Sequence, residues 1–180
     1  MLKKLVSVML IATIALLVGC TTINTTATPK LSSGPWLVAP FVNNSNTPRA
    51  GYSAMVMTGD LLRAKGYQTV NFYIPRQSGQ GLIPQETNAQ TMQQILSYAR
   101  RHGYAYIMSG TVNEWRYKAG LDGEPAVSVT LDLVDVQTGH SVWNSVASGS
   151  GWGRDSITRI AQELINRSIN TLPYGRKLSS

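Results

Sequence analysis

Hydrophobic and polar positions change their spacing several times along the chain, and each change predicts a secondary-structure element. Apolar residues are nearly continuous from Pro35 to Val42 and from Val70 to Ile74, which is typical of buried strands. Between these runs the apolar residues from Tyr52 to Leu62 have helical spacing, with Pro48 suited to a helix start and Gly66 to its end. The first part of the chain is therefore predicted to alternate strand and helix.

A second amphipathic helix and three strands are predicted next. Thr87 can cap a helix whose apolar face consists of Met92, Ile95, Leu96 and Ala99. From Tyr104 to Lys118 the period becomes two, and it remains two from Val127 to Leu133 and from His140 to Ser150. These three strands form an antiparallel meander, because short turn sequences join them.

A final helix is expected between Asp155, a good N-cap residue, and Pro173, which stops it. The resulting order, β-α-β-α-β-β-β-α, predicts an α/β fold: a two-layer or three-layer sandwich with one mixed sheet. The tryptophans in the predicted strands are expected to pack in the core; they are Trp36, Trp115 and Trp143.

The first residues have the composition of a secretory signal. Lysines precede an apolar run from Leu5 to Val18, which is too short to span a bilayer as a helix. Leu17-Val18-Gly19-Cys20 follows and resembles the lipobox of bacterial lipoproteins, with Cys20 the single cysteine of the chain. Residues 1–19 are therefore predicted to be a signal peptide, and Cys20 is predicted to carry a diacylglycerol and an acyl chain such as palmitate.

Three further segments complete the predicted organisation. Residues 20–34 contain the lipidated cysteine and a Thr-, Ser- and Asn-rich flexible tether, which would reach roughly 45 Å when fully extended. Residues 35–173 form one domain and residues 174–180 a C-terminal tail. Thr21 stands where the lipoprotein pattern has an aspartate for inner-membrane retention, so the periplasmic face of the outer membrane is the expected location.

Patterns for catalysis and for metal binding are sparse. The two histidines, His102 and His140, are expected at a solvated helix end and in a hairpin turn. They provide neither a nucleophile–base pair nor a zinc ligand set. No catalytic residue, metal, cofactor or nucleic-acid partner is therefore predicted. Carboxylates such as Glu114 and Asp122 leave an envelope glycan hydrolase open as an alternative, because that chemistry needs only two acids.

Charge is unevenly distributed along the chain. The net charge is +7, and removal of the signal peptide leaves 14 basic and nine acidic side chains. Between Glu114 and His140 five acids accompany two bases, whereas five bases accompany two acids from Arg154 onward. Repeated around a ring, an acidic meander turn would attract a cationic polymer, and the lipid contacts are expected on the opposite rim.

Trp152 lies between Gly151 and Gly153, where few apolar neighbours can enclose it. An indole favours the membrane interface, and the adjacent Arg154 could contact lipid phosphate. The alternative is that Trp152 folds back onto Ile157 and packs there.

The stretch EWRYKAGLDGEPAV, from Glu114 to Val127, resembles the PelC family of outer-membrane lipoproteins, which take part in Pel exopolysaccharide export. The likeness extends from Pro35 through Leu172 and leaves residues 75–88 unmatched. It implies a ring of copies, expected to be dodecameric, that guides a cationic amino-sugar polymer without catalysis during biofilm formation. The implied partners are outer-membrane lipid and the barrel porin PelB with its TPR scaffold.

The same resemblance suggests roles for individual residues. Asp122 matches an acid lining the ring, and Glu114 and Glu124 extend this polymer-guiding surface. Trp152 matches a membrane-facing tryptophan, and Arg116 is expected to be structural or to lie between subunits. The fold is expected to be similar to the periplasmic domain of the curli lipoprotein CsgG and to the N-terminal domain of TolB. A curli-type secretion-channel component is therefore a second alternative.

Overall fold

A computed structural model of the chain describes residues 21–27, 29–67, 69–74, 89–119, 123–153 and 155–173. These residues form one mixed sheet with helices on both faces. The strands are β1 (Thr21–Thr25), β2 (Trp36–Val38), β3 (Val42–Asn43), β4 (Val70–Phe72), β5 (Tyr106–Tyr117), β6 (Pro125–Asp135) and β7 (Ser141–Ser150). The helices are α1 (Ala50–Ala64), α2 (Ala89–Arg101) and α3 (Ile157–Ile169).

The sheet has an antiparallel half and a parallel half. Its strand order is β1-β7-β6-β5-β2-β4, and β3 also pairs with β5. The strands β5, β6, β7 and β1 are antiparallel neighbours, whereas β2 is parallel to both β4 and β5. The parallel half arises because α1 and α2 form the crossover connections between its strands. The predicted mixed sheet is confirmed.

Two cores lie on opposite faces of the sheet. The larger core lies between the sheet and helices α1 and α3; its fully buried side chains include Val38, Val129, Leu131, Leu133, Leu164 and Ile165. The smaller core lies against α2 and consists of Leu37, Ala39, Ile95, Ala99, Ile107 and Val136. Alternate residues of a strand enter different cores, as a period of two requires. The α/β sandwich is therefore confirmed, with three layers where α2 packs.

The buried tryptophans also agree with the prediction. Trp36, Trp115 and Trp143 are 2%, 6% and 1% exposed, and all three belong to the larger core. Within the described residues, no helix combines the length and the apolar character needed to cross a bilayer.

The tether prediction is wrong for residues 21–25, which form strand β1. This strand pairs with the edge of β7, from Thr21 opposite Gly149 to Thr25 opposite Ser145. The Thr26 N–H extends the ladder by donating to the Asn144 carbonyl at 3.0 Å. Ile23 packs against the larger core. The unpaired backbone edge of β7 explains this order, because an edge strand can form from main-chain hydrogen bonds and a single apolar contact.

Two helix starts differ from the prediction. Helix α1 begins at Ala50, not at Pro48, because Arg49 has a left-handed backbone conformation with φ 64°. Helix α3 has Ser156 as its N-cap instead of Asp155, whose carboxylate binds a different backbone group. The predicted cap Thr87 lies outside the described residues.

The first predicted strand is divided in two. The run from Pro35 to Val42 contains β2 and the start of β3, separated by Pro40, which has no N–H to donate to a ladder. Similarly, β4 ends at Phe72, before the predicted boundary at Ile74.

Candidate functional site

One end of the sheet gathers most of the candidate residues. The end of β5 at Tyr117 lies opposite Pro125, where β6 begins, and the Gly151 N–H donates to the Pro125 carbonyl at 2.9 Å. Thr21 of β1 lies opposite Gly149, two residues before Gly151. We call this region the turn end, and it comprises Thr21, Tyr117–Ala119, Gly123–Pro125 and Gly149–Gly153.

The structure therefore contradicts the expected separation of the acidic and membrane-facing features. Glu124 lies next to Pro125, and Trp152 lies next to Gly151, so both candidates belong to the turn end. The sequence predicts opposite rims because the meander turn is acidic whereas the chain from Arg154 onward is basic. The antiparallel pairing of β6 with β7 brings the start of one strand beside the end of the other.

The two described acids near the turn end are each paired with a base. The Arg116 Nε donates to Glu114 Oε1 at 2.9 Å, and the Lys118 Nζ lies 4.0 Å from Glu124 Oε2. All four side chains are about one-third to one-half exposed, so each pair contributes little to stability. Asp122 lies outside the described residues. With Asp122 included, the Glu114–Pro125 segment contains three acids and two bases and has a net charge of −1.

The remaining acids of the predicted acidic segment lie at the opposite end of the β5–β6 hairpin. Asp135 ends β6 and lies opposite Tyr106, and its Oδ1 accepts a hydrogen bond from the Thr138 N–H at 2.8 Å. Asp132 accepts a hydrogen bond from the Ser141 hydroxyl. A strand of this length separates its ends by roughly 30 Å. The acidic excess is therefore divided between two ends of the sheet and does not form one acidic turn.

The segment from Asp155 to Ile169, which contains helix α3, has two acids and two bases and is electrically balanced. Arg159 contacts Asp155 at 2.8 Å and Glu163 at 3.3 Å, and Arg167 also pairs with Glu163. The predicted basic excess after the meander thus depends on Arg154, Arg176 and Lys177, which lie outside the described residues.

The Trp152 side chain is 55% exposed, which argues against the alternative that it packs onto Ile157. The preceding glycine has a packing role that the sequence did not reveal. A Cβ atom on Gly151 would lie 2.6 Å from Asp155 Oδ2 and 2.9 Å from the Ile160 Cδ1 atom. Gly151 is therefore needed for a close tertiary approach, and it is not merely a flexible spacer beside Trp152.

Asp155 fixes the backbone that carries Trp152. The Trp152 N–H donates to Asp155 Oδ2 at 2.9 Å, and the Arg159 guanidinium binds the same oxygen at 2.8 Å. First the backbone hydrogen bond and then the contact with Arg159 lower the pKa of Asp155 below its ordinary value of 3.8.

We expect the order of this loop to depend on pH in acid. Because the folded-state pKa is lowered, the contribution of Asp155 is complete above its unfolded pKa near 3.8 and is lost as the pH falls through the folded value. An NMR titration of the Asp155 carboxyl carbon, with the Trp152 amide as reporter, measures this transition. Asp155→Asn should remove the pH dependence at the Trp152 amide. A midpoint at or above 3.8 would contradict the assignment.

Tyr117 is an exposed aromatic residue that sequence reasoning missed. Its side chain is 52% exposed at the turn end, and its hydroxyl oxygen accepts a hydrogen bond from the Ile157 N–H at 3.3 Å. The strand period in WRYK placed Tyr117 on the same face as Trp115, but it did not show that the core ends before Tyr117. The turn end thus presents two exposed aromatic rings, those of Tyr117 and Trp152.

Comparisons with known proteins identify related folds. A family model for the peptidoglycan-synthase activator LpoB matches residues 68–148. The lipoprotein GNA1162 from Neisseria meningitidis is 20% identical, with a TM-score of 0.52 over 77% of this chain and 96% of that chain, so it shows similarity of fold. A search of curated proteins gave no significant match.

Two solved structures are more similar. The PelC dodecamer from Paraburkholderia phytofirmans is 33% identical, with a TM-score of 0.71 over 84% of this chain and 96% of that chain. A variant of that dodecamer is 31% identical, with a TM-score of 0.69 over 84% and 97% of the two chains. The fold and these likenesses define an envelope lipoprotein with a mixed-sheet α/β domain. At this identity and coverage, the chain belongs to the PelC family.

Proposed function

We propose that this chain is a non-enzymatic outer-membrane lipoprotein, acylated on Cys20, whose copies form a periplasmic ring. The ring guides a cationic Pel exopolysaccharide to a barrel porin of the PelB type, with its TPR scaffold, during biofilm formation. The observation that carries the proposal is the likeness to a PelC dodecamer, which extends over 96% of that chain. We expect the same surfaces to form a closed ring here, because a heterologous interface that closes produces a cyclic assembly.

The position of β1 supports a common membrane-facing end. Thr21 directly follows Cys20 and is fixed opposite Gly149, three residues before Trp152. Acyl chains on Cys20 would therefore leave the protein at the turn end, where the indole of Trp152 is exposed. With Arg154 beside it, Trp152 is suited to contact lipid headgroups.

The same geometry supports polymer guidance by acids close to the membrane. Glu124 lies at the turn end, next to the turn that contains Asp122, and Glu114 lies nearby on β5. One net negative charge in the Glu114–Pro125 segment of each copy attracts a polymer weakly, because exposed charges are screened over about 10 Å at 0.1 M salt. Twelve copies around one lumen would focus the field where the polymer enters the porin. The structure thus supports guidance at the membrane end of the ring.

We expect Asp122→Ala to reduce polymer export at low ionic strength by about two- to tenfold, because it removes the net negative charge of the Glu114–Pro125 segment in each copy. Export is measured as secreted polymer with a lectin or antibody to the polysaccharide. The control is Asp60→Ala, which removes an exposed acid paired with Arg63 on α1. Unchanged export by Asp122→Ala, or an equal loss in both variants, would contradict electrostatic guidance at this turn.

A further inference from the structure

A polar cleft lies between the loop that joins β3 to α1 and the last part of β5. Its volume is about 430 Å³, within the range of about 300–1,000 Å³ common for small-molecule sites. Its lining includes the side chains of Asn44, Ser45, Asn46, Asn113, Glu114 and Arg116. The cleft is thus surrounded by hydrogen-bonding groups and contains one acid and one base.

The loop on one side of the cleft is held in place by its own hydrogen bonds. Asn43 Oδ1 accepts from the Ser45 hydroxyl at 2.7 Å and from the Ser45 N–H at 3.2 Å, while Asn43 Nδ2 donates to the Thr47 carbonyl at 3.0 Å. The Asn44 N–H donates to the Val112 carbonyl at 2.8 Å. The Thr47 hydroxyl donates to the Trp115 carbonyl, which ties the loop to β5. This side of the cleft is therefore preorganised.

The other side of the cleft is formed by a β-bulge. The register between β5 and β6 shifts between Val112 and Glu114, so Asn113 is the extra residue. Bulges redirect side chains and are common beside functional sites. The Asn113 Nδ2 donates to the Thr130 hydroxyl at 3.3 Å, which fixes the orientation of this amide. Asn113 and Glu114 thus both line the cleft.

Several polar groups of the cleft remain available to a ligand. Within the described part of the chain, the exposed side-chain amides of Asn44 and Asn46 have no hydrogen-bond partner. The Arg116 guanidinium binds Glu114 through Oε1, which leaves Oε2 for another donor. Amides can bind hydroxyl and acetamido groups, and a carboxylate can bind an ammonium group. Together these groups fit an amino sugar better than an apolar ligand.

We infer that this cleft binds one unit of an amino-sugar polymer, with Glu114 on the ammonium group and Asn44 and Asn46 on hydroxyl or acetamido groups. The choice of polymer rests on the proposed function, but the chemistry of the cleft is tested separately. Because Glu114 lies on β5 near the turn end, the polymer would contact the cleft as it approaches Glu124 and the turn that contains Asp122.

The experiment uses the full-length lipidated protein in detergent micelles and isothermal titration with three oligosaccharides. These are glucosamine oligomers, N-acetylglucosamine oligomers and cellulose oligomers of equal length. We expect the glucosamine oligomers to bind most tightly and the cellulose oligomers least tightly. Added salt should weaken binding of the glucosamine oligomers alone, because only they are cationic.

Three variants separate the contributions of charge and of hydrogen bonding to the oligosaccharide affinity. Glu114→Gln should lower the affinity for glucosamine oligomers about two- to fivefold and leave that for N-acetylglucosamine oligomers unchanged. Asn46→Ala should lower both affinities about two- to tenfold, because it removes a hydrogen bond that does not depend on charge. The control Asn24→Ala changes an exposed amide on β1, away from the cleft, and should change neither affinity.

Absence of binding, equal affinity for all three oligomers, or the same loss in Asn24→Ala and Asn46→Ala would overturn the assignment. Failure of the cleft is distinguishable from failure of the ring. If Asp122→Ala reduces export while Glu114→Gln and Asn46→Ala bind normally, guidance stands and the cleft is refuted. If these two variants lose binding while Asp122→Ala exports normally, the cleft stands without electrostatic guidance.

Discussion

Trp152→Ala will lower the affinity of the unlipidated protein for lipid vesicles by more than about a hundredfold, while its oligomeric mass stays unchanged. The indole is 55% exposed at the turn end, where strand β1 begins at Thr21. Burying the exposed part of a tryptophan is worth about 2 to 3 kcal/mol per copy. In the proposed ring, several copies would contact the same membrane, so avidity would multiply the loss.

The measurement is co-sedimentation of the Cys20→Ser protein with vesicles of phosphatidylethanolamine and phosphatidylglycerol, combined with light scattering for mass. Val146→Ala is a matched control, because Val146 is 41% exposed but lies within β7, away from the turn end. The control should bind like the parent protein. If Trp152→Ala also binds like the parent, the indole does not contact lipid. If its mass falls, the indole contributes to subunit association.

Trp143→Ala will lower the free energy of unfolding by about 3 to 5 kcal/mol, which is a large part of the stability of a domain this size. Trp143 is 1% exposed, lies opposite Leu133 on β6 and donates through Nε1 to the Thr171 hydroxyl at 3.1 Å. The substitution therefore creates a cavity and removes a link between β7 and the residues after α3.

Urea denaturation of the two tryptophan variants tests this contrast. We expect Trp152→Ala to remain within about 0.5 kcal/mol of the parent, because exposed substitutions rarely affect folding. Trp143→Phe should lie between Trp143→Ala and the parent, since it keeps an aromatic ring but loses the hydrogen bond. Equal destabilisation by the two alanine variants would show that Trp152 is part of the core.

The sequence predicts those elements in which the pattern of apolar and polar residues matches the pattern of buried and exposed side chains. The period of two in β6 and the helical stripe of α3 follow from one buried face each, and both elements are present in the structure. Strand β1 has no such signature, because Ile23 is its single large apolar side chain and its partner β7 lies more than 120 residues away. Main-chain hydrogen bonds between segments this far apart require almost no particular residue types, so the sequence does not indicate them.

The candidate site was predictable to a similar extent. The exposure of Trp152 follows from its small neighbours, but the need for Gly151 depends on contacts with Asp155 and Ile160 that only the folded chain creates. The division of the acids could have been predicted, because an antiparallel strand of this length must carry Glu124 and Asp135 to opposite ends.

The cleft, by contrast, could not be assembled from sequence. The asparagines after β3 are typical of a strand end, and nothing local associates them with Glu114, about 70 residues further along. Their proximity depends on the parallel pairing of β3 with β5, which places Asn43 opposite Val112.

If Cys20 is acylated as proposed, strand β1 also limits the distance between the domain and the membrane. A free segment of 14 residues would allow a stand-off of roughly 45 Å, whereas a strand paired from Thr21 leaves a single peptide link, about 3.8 Å between Cα atoms, to an acylated Cys20. The proposed ring would then lie directly on the leaflet and could not move away from it. In the proposed assembly, a periplasmic scaffold would therefore have to reach the ring at the membrane surface.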